Sequence, residues 1–125
     1  MAVIAIDFDD TCVTNEWPKI GTDIGAEPVL KELCAHKHNL ILWTCRTGKP
    51  LDEAIQWFVD REILLSDVNY NSLSKLANSG PKIHADLYID DKALGIPLYF
   101  DRKTPYVDWD KVRVQLVSRN YLSPF

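Results

Sequence analysis

Three aspartates follow the first apolar segment of the chain within four positions. In the stretch VIAIDFDDTCV, residues 3–13, an almost unbroken apolar run leads into Asp7, Asp9, Asp10 and Thr11. Residues two apart in an extended backbone point to the same side, so Asp7 and Asp9 are expected to share one face. Neighbouring carboxylates repel each other unless a cation or a proton neutralises them. The stretch therefore indicates a binding or catalytic site rather than a contribution to stability.

Two later apolar runs also end in side chains that do chemistry. Leu40–Trp43 leads to Thr44, Cys45 and Arg46, and Leu87–Ile89 leads to Asp90 and Asp91. In open α/β sheets, ligands bind at the carboxyl ends of the strands, so these groups are expected to meet at one edge. Several carboxylates there suit Mg²⁺, which prefers oxygen ligands and keeps several waters. Thr44, Arg46 or Lys49, and backbone amides after the strand, such as that of Cys45, would hold phosphate oxygens.

Apolar runs and helical periodicity define the elements that position these groups. Strands are expected at Ala2–Phe8, Leu40–Trp43, Leu87–Ile89 and Leu98–Phe100, with a short one near Val68. One helix is expected to begin near Glu27, with Pro28 in its first turn, and to end near Lys37–Asn39. Two more are expected after Pro50 and after Asp108, the latter as an N-cap. Strands that alternate with helices imply βαβ units, and continuous apolar strands are typical of parallel sheets. The sequence predicts one α/β domain over residues 1–125, doubly wound and Rossmann-like, with a mainly parallel sheet.

Composition narrows the class of protein. The net charge is −4, without a block of lysine and arginine, which disfavours a general nucleic-acid binder. No apolar run approaches the roughly 20 residues of a membrane helix, and no signal-peptide pattern is present. The three cysteines are widely spaced and form no CxxC, so reduced thiols are expected. These features predict a cytoplasmic protein that does not bind membranes.

Taken together, the three strand ends resemble motifs of the haloacid dehalogenase (HAD) superfamily of phosphohydrolases. The run from Asp7 to Thr11, DFDDT, is similar to the first motif, DxDxT, which follows a hydrophobic strand. LILWT, ending in Thr44, resembles the second motif, and LYIDD, ending in Asp91, resembles the fourth. The resemblance implies a HAD-like fold and a Mg²⁺-dependent phosphomonoester hydrolase that acts through an aspartyl-phosphate intermediate.

The resemblance also implies a role for each residue. Asp7 would be the nucleophile that attacks phosphorus, and Asp9 would be the general acid and then the general base. Thr44 would donate a hydrogen bond to the transferring phosphoryl group. Mg²⁺ would be held by Asp7, the backbone carbonyl of Asp9, and Asp90, with Asp91 contributing directly or through water.

A lysine would complete the motif set, and the chain offers two. Lys82 precedes Asp90 by eight residues, and Lys75 precedes it by fifteen. Lys82 is favoured, because related short members of the superfamily place the lysine similarly. Its expected role is to pair with the nucleophile and with the substrate phosphate.

The spacing of the motifs leaves no room for a folded cap domain. Residues 12–26, here called the flap, are long enough only for a loop before the first helix. A capless site would accept a sugar phosphate, a nucleotide, a polynucleotide end or a phosphoprotein, and the subunit of a homo-oligomer would be able to cover it. Trp17 in the flap would either stack on a substrate or pin the flap to the core. Cys12 and Cys45 are expected to be packed, reduced thiols.

Two other functions fit parts of the pattern. A receiver-like phosphoacceptor domain of signalling is also α/β, with acids, Thr and Lys around Mg²⁺. It would carry its phosphoacceptor aspartate at the end of a central strand, where this chain has Thr44. A non-catalytic phosphate- or metal-binding module of the same fold is the other alternative, and the presence of Asp7, Asp9 and Thr44 disfavours it.

Overall fold

The computed structural model describes residues 1–73 and 80–125, and residues 74–79, with Lys75 among them, lie outside the described part. The helices and strands in chain order are β1 (Val3–Ile6), α1 (Ala26–Ala35), β2 (Asn39–Leu42), α2 (Gly48–Asp60), β3 (Leu65–Val68), β4 (Leu87–Ile89), β5 (Leu98–Tyr99), β6 (Tyr106–Val107) and α3 (Trp109–Ser118). Among the described residues, no helix has the length and apolar character needed to span a bilayer.

The main sheet has four parallel strands in the order β3-β2-β1-β4. Strand β1 lies between β2 and β4, with Ile6 paired to Leu42 on one side and to Ile89 on the other. The two longest apolar runs, β1 and β2, thus form the centre of the sheet, where both edges of each strand are hydrogen-bonded, and β4 lies at one edge. The predicted α/β class with a parallel sheet is confirmed.

The described helices cover one face of the sheet. The side chains of Ile4, Ile6, Leu40 and Leu42 share that face, because side chains alternate along a strand. They belong to one buried cluster with apolar side chains from all three helices. Successive right-handed crossovers from β1 to β2 and from β2 to β3 step in the same direction, which places α1 and α2 on the same side.

Loop segments cover the opposite face within the described residues. Ala5 and Ile41 are buried there, outside the helix-side cluster. The ring of Tyr88 lies 5.4 Å from that of Trp43, and its hydroxyl donates to the carbonyl of Ile83 at 2.5 Å, which folds the segment before β4 onto the sheet. A doubly wound sheet would have helices on both faces, so the described elements form a simpler, one-sided helix layer.

Strand β5 differs from the expected continuation of the main sheet. It pairs antiparallel with β6, which sequence patterning missed, in a separate two-stranded sheet. The reason is the short connection from Ile89 to Leu98, because a parallel crossover needs about a dozen residues or more. The carbonyl of Asp10 accepts a hydrogen bond from Val107 N at 3.0 Å, which attaches this hairpin to the loop after β1.

The third helix begins where the sequence predicts. The side chain of Asp108 accepts a hydrogen bond from Lys111 N at 3.2 Å, which satisfies one of the free amides of the first turn. Trp109, Val112 and Leu116 are buried along one side of α3. The indole Nε1 of Trp109 donates to the carbonyl of Thr11 at 2.6 Å, so this helix holds the loop that follows β1.

Candidate active site

Three carboxylates meet at the carboxyl edge of the sheet. Asp7 follows β1, and its backbone N–H donates to the carbonyl of Ile89 at 3.0 Å, which aligns it with the end of β4. There, one oxygen from each of Asp7, Asp90 and Asp91 lies within 4.8 Å of the others. The structure therefore brings together three of the four predicted metal ligands, by joining the ends of the adjacent strands β1 and β4.

Thr11 connects two of these acids. Its hydroxyl lies 3.0 Å from Oδ2 of Asp7 and 3.2 Å from Oδ1 of Asp91, and it accepts a hydrogen bond from Asp91 N at 3.0 Å. With its carbonyl held by Trp109, Thr11 is fully buried. These contacts show that Thr11 orders the loop after β1.

Burial makes the acidic cluster hard to ionise without a cation. Burial first, then the hydrogen bond with Asp91 and the negative charge of Asp90, raises the pKa of Asp7 from 3.8 to about 8. Burial also raises the pKa of Asp91 above its ordinary value. The ammonium of Lys92 lies 3.7 Å from Oδ2 of Asp91, but that lysine is mostly exposed and screened by water. The cluster therefore favours a bound cation or a bound proton.

We expect the metal-free protein to lose stability as the pH rises from about 4 to about 8. Asp7 ionises near pH 3.8 in the unfolded chain but retains its proton to about pH 8 in the folded one. Stability from this proton is complete below the unfolded value and is lost as the pH rises through the folded value. The slope for one proton is at most about 1.4 kcal/mol per pH unit. Urea unfolding in EDTA across this range measures it.

The Asp7→Asn variant is the control for this pH dependence. Asparagine has nearly the same size and cannot ionise, so the slope of unfolding free energy against pH should become shallower. An equal slope in the wild type and in Asp7→Asn would show that Asp7 does not retain its proton in the folded state.

The carboxylate of Asp9 is not part of the three-carboxylate cluster and is bound by a buried arginine. Nε of Arg46 donates to Oδ2 of Asp9 at 2.8 Å, and one terminal nitrogen donates to Oδ1 at 2.7 Å. Only 1% of the Arg46 side chain is exposed. The carboxylate of Asp9 is therefore held in a two-pronged ion pair, a geometry that arginine forms better than lysine.

The remaining donors of Arg46 bind backbone carbonyls. The guanidinium donates to Pro18 at 3.0 Å, Lys19 at 2.8 Å and Pro50 at 3.2 Å. All five N–H groups of the side chain thus have an acceptor within the protein. This corrects the prediction that Arg46 binds substrate phosphate, because no donor of its guanidinium is left for a ligand.

The flap folds back over Arg46. Trp17 is 57% exposed, and the centroid of its ring lies 5.1 Å from the guanidinium carbon of Arg46. Gly21 allows the flap to close on itself, since a Cβ there would lie 1.9 Å from the carbonyl oxygen of Thr14. The contact of Trp17 with Arg46 supports the interpretation that Trp17 pins the flap, and its exposed surface leaves room for a ligand as well.

Thr44 lies half-buried after β2, and a residue that sequence reasoning missed positions it. Asn69, after β3, accepts a hydrogen bond from Thr44 N at 2.8 Å and donates to the Thr44 carbonyl at 3.1 Å. The Thr44 hydroxyl accepts from Arg46 N at 3.1 Å, so its own proton can be donated to a ligand. The sequence signal for Asn69 was its position directly after a short strand, at the same edge of the sheet as Thr44. Cys45 is exposed beside Thr44.

Lys82 does not reach the acidic cluster. Its ammonium lies 5.1 Å from the centroid of the Tyr88 ring, and none of the ion pairs among the described residues includes it. This differs from the prediction that Lys82 pairs with Asp7. The physical reason is that the segment before β4 is folded onto the sheet by the Tyr88 hydroxyl. Its alternative, Lys75, lies outside the described residues.

The two cysteines beside the motifs have different environments. Cys12 is buried, with its sulfur 3.4 Å from the carbonyl oxygen of Asp7, and burial raises the pKa of its thiol. The thiol of Cys12 is therefore unreactive, as expected for a packed residue. Cys45 is exposed, which corrects the expectation that it is packed.

Chemically, the site offers oxygen ligands and one hydroxyl donor. The cluster of Asp7, Asp90 and Asp91 suits a hard divalent cation, because all its ligand atoms are carboxylate oxygens. Asp7 is held at two points: its carboxylate contacts the hydroxyl of Thr11, and its backbone N–H donates to the carbonyl of Ile89 at the end of β4. The fold and the site thus define a class of α/β protein with a parallel sheet and an acidic centre at the carboxyl ends of its strands.

The chain is similar to a protein of known structure. The solved structure of a conserved protein from Bacteroides thetaiotaomicron matches it with a TM-score of 0.76 and 36% sequence identity, over 95% of this chain and 91% of the other. The chain belongs to the same family as that protein. No model of a protein family matches the sequence, and no curated protein matches it.

Proposed function

We propose that this protein is a Mg²⁺-dependent phosphatase of the HAD type, which hydrolyses phosphomonoesters through an aspartyl-phosphate. The observation that carries the proposal is the convergence of the carboxylates of Asp7, Asp90 and Asp91 within 4.8 Å. Burial and mutual repulsion make this cluster unfavourable unless it is neutralised, and such an arrangement is typical of functional sites. These three residues also lie within DFDDT and LYIDD, the two segments that resemble the family's motifs.

The cluster fits a magnesium ion by its chemistry. Asp7, Asp90 and Asp91, directly or through water, and the backbone carbonyl of Asp9 would hold it. The bound ion supplies positive charge that lets a carboxylate approach a phosphate dianion and stabilises the charge on the phosphoryl oxygens.

The chain's own residues would perform two displacements. An oxygen of Asp7 forms a bond to phosphorus while the bond from phosphorus to the leaving oxygen breaks, and that oxygen takes a proton from Asp9. A water then gives a proton to Asp9 and attacks phosphorus, and the bond to Asp7 breaks to release phosphate. The hydroxyl of Thr44 is free to donate to the phosphoryl group in both steps.

The experiment that tests this function is phosphate release from p-nitrophenyl phosphate. The protein should release phosphate with added Mg²⁺, lose that activity in excess EDTA, and regain it when Mg²⁺ is restored. The reference variant is Asp86→Asn, because Asp86 binds Val3 N at 2.8 Å at the opposite end of β1. Activity that survives complete metal removal would contradict the magnesium assignment. If the protein hydrolyses no member of a panel of phosphomonoesters, the proposal that it is a phosphatase is wrong.

A further inference from the structure

Arg46 joins three separate segments beside the proposed active site. Its guanidinium binds Asp9 after β1, the carbonyls of Pro18 and Lys19 in the flap, and the carbonyl of Pro50 in α2. The guanidinium carbon also lies 5.1 Å from the ring centroid of Phe8. Only 1% of the Arg46 side chain is exposed to solvent. Burying an arginine is costly unless every donor is satisfied, and here every donor is.

We propose that Arg46 is a positioning residue that fixes the Asp9 carboxylate in one orientation and braces it with the flap and α2. The inference rests on the proposed function, because it assigns Arg46 to the proton-transfer step of that reaction. Arg46 touches no reacting atom in this scheme and acts only through Asp9.

The geometry leaves a free lone pair on each oxygen of Asp9, where the carboxylate can take up a proton and pass it on. Each of its oxygens accepts one hydrogen bond from Arg46, and a carboxylate oxygen has a second lone pair. The side chain of Asp9 is 21% exposed, so a ligand or water can reach it although Arg46 is enclosed. A fixed orientation matters because a general acid must lie within hydrogen-bond reach of the atom that it protonates.

The consequence is a selective dependence on the leaving group. A p-nitrophenolate ion departs readily without a proton, whereas an alkoxide departs slowly unless an acid protonates it. Misplacing Asp9 should therefore slow phosphoryl transfer from an alkyl phosphate far more than transfer from p-nitrophenyl phosphate. General acid catalysis contributes about 10²- to 10⁴-fold, which sets the range of this effect.

The test compares kcat/KM for phenylethyl phosphate and p-nitrophenyl phosphate in Arg46→Met with Mg²⁺. Since kcat/KM reports the steps through the first irreversible one, it isolates phosphoryl transfer to Asp7 from later hydrolysis. We expect about a 100-fold loss on the alkyl ester and less than about a 10-fold loss on the aryl ester. The ratio of the two values is independent of the fraction of protein that is folded. Arg46→Lys, which retains the charge, should shift the ratio in the same direction by less.

Arg113 provides a matched control. It makes the same two-pronged pair with Glu32, at 2.9 Å and 2.8 Å, between α1 and α3. Arg113→Met should leave the alkyl-to-aryl ratio unchanged. In the background of Asp9→Asn, Arg46→Met should add no further change to the ratio, because both substitutions act through the same carboxylate.

The outcomes separate this inference from the phosphatase proposal. If the wild type hydrolyses neither ester, the phosphatase proposal is wrong and the inference falls with it. If the wild type hydrolyses both esters and Arg46→Met lowers the two kcat/KM values equally, Arg46 is structural only and the inference alone is wrong. An unequal loss with the ratio shifted against the alkyl ester supports the positioning role.

Discussion

The Asp7→Asn variant should retain its fold and lose Mg²⁺-dependent phosphate release by on the order of 10⁴-fold or more, because it lacks the attacking carboxylate. The amide oxygen of asparagine can still accept the hydrogen bond that Thr11 now donates at 3.0 Å. The amide is a poor nucleophile, so no aspartyl-phosphate can form. Steady-state release of p-nitrophenol and circular dichroism measure the two halves of this expectation.

The stability of Asp7→Asn separates a catalytic loss from a folding defect. At pH 8 without metal the variant should be at least as stable as the wild type, since it removes a partly ionised carboxyl group from a crowded, buried cluster. The Asp86→Asn reference should keep wild-type activity, because Asp86 lies at the other end of β1. Full activity in Asp7→Asn would show that another group is the nucleophile.

The second large effect is expected in Asp9→Asn, where kcat should fall by about 10²- to 10⁴-fold. Asparagine can neither give a proton to the leaving group nor take one from the hydrolytic water. With an activated aryl phosphate the first step needs little acid catalysis, so the variant should release one equivalent of p-nitrophenol rapidly and then turn over slowly. Rapid-quench kinetics would detect this burst together with a phosphorylated protein.

Asp10→Asn is the matched control for Asp9→Asn. Asp10 has a φ of 60°, a conformation that asparagine tolerates, and its Oδ1 accepts from Asn15 N at 3.2 Å, which an asparagine oxygen can also do. Although Asp10 is buried, this substitution keeps its hydrogen bond and its backbone conformation, so the activity of Asp10→Asn should stay within about a few fold of the wild type. Unchanged turnover in Asp9→Asn would remove Asp9 from the reaction.

The sequence predicts the parallel sheet and the acidic edge because both follow from local patterns. A continuous apolar run indicates a buried strand, and Asp7 and Asp90 each follow such a run directly. Strand ends meet at one edge in any parallel sheet, so the convergence of these acids did not depend on details of packing. The prediction of the acidic cluster is therefore as secure as that of the strands.

The environment of Arg46 could not be predicted in the same way. A cationic side chain two residues after Thr44, at a strand end, is typical of a phosphate-binding residue. Arg46 is buried instead, because the flap folds over it and its carbonyls accept hydrogen bonds from the guanidinium. Its partners Pro18 and Lys19 lie 28 and 27 residues away along the chain. The position of Lys82 likewise depends on how a loop folds onto the sheet around Tyr88. Such contacts follow from tertiary packing, which local sequence patterns do not encode.

The hydrogen bond from Trp109 to Thr11 has a consequence for the order in which the site is assembled during synthesis. Thr11 is synthesised before its partners, since Asp91 follows it 80 residues later and Trp109 follows it 98 residues later. Domains fold as units once such distant segments are present. Until those segments have emerged, the nascent chain therefore carries Asp7 in water, where its charge is well solvated. The crowded acidic centre forms only when these distant segments have emerged, so its electrostatic cost arises together with the packing that compensates for it.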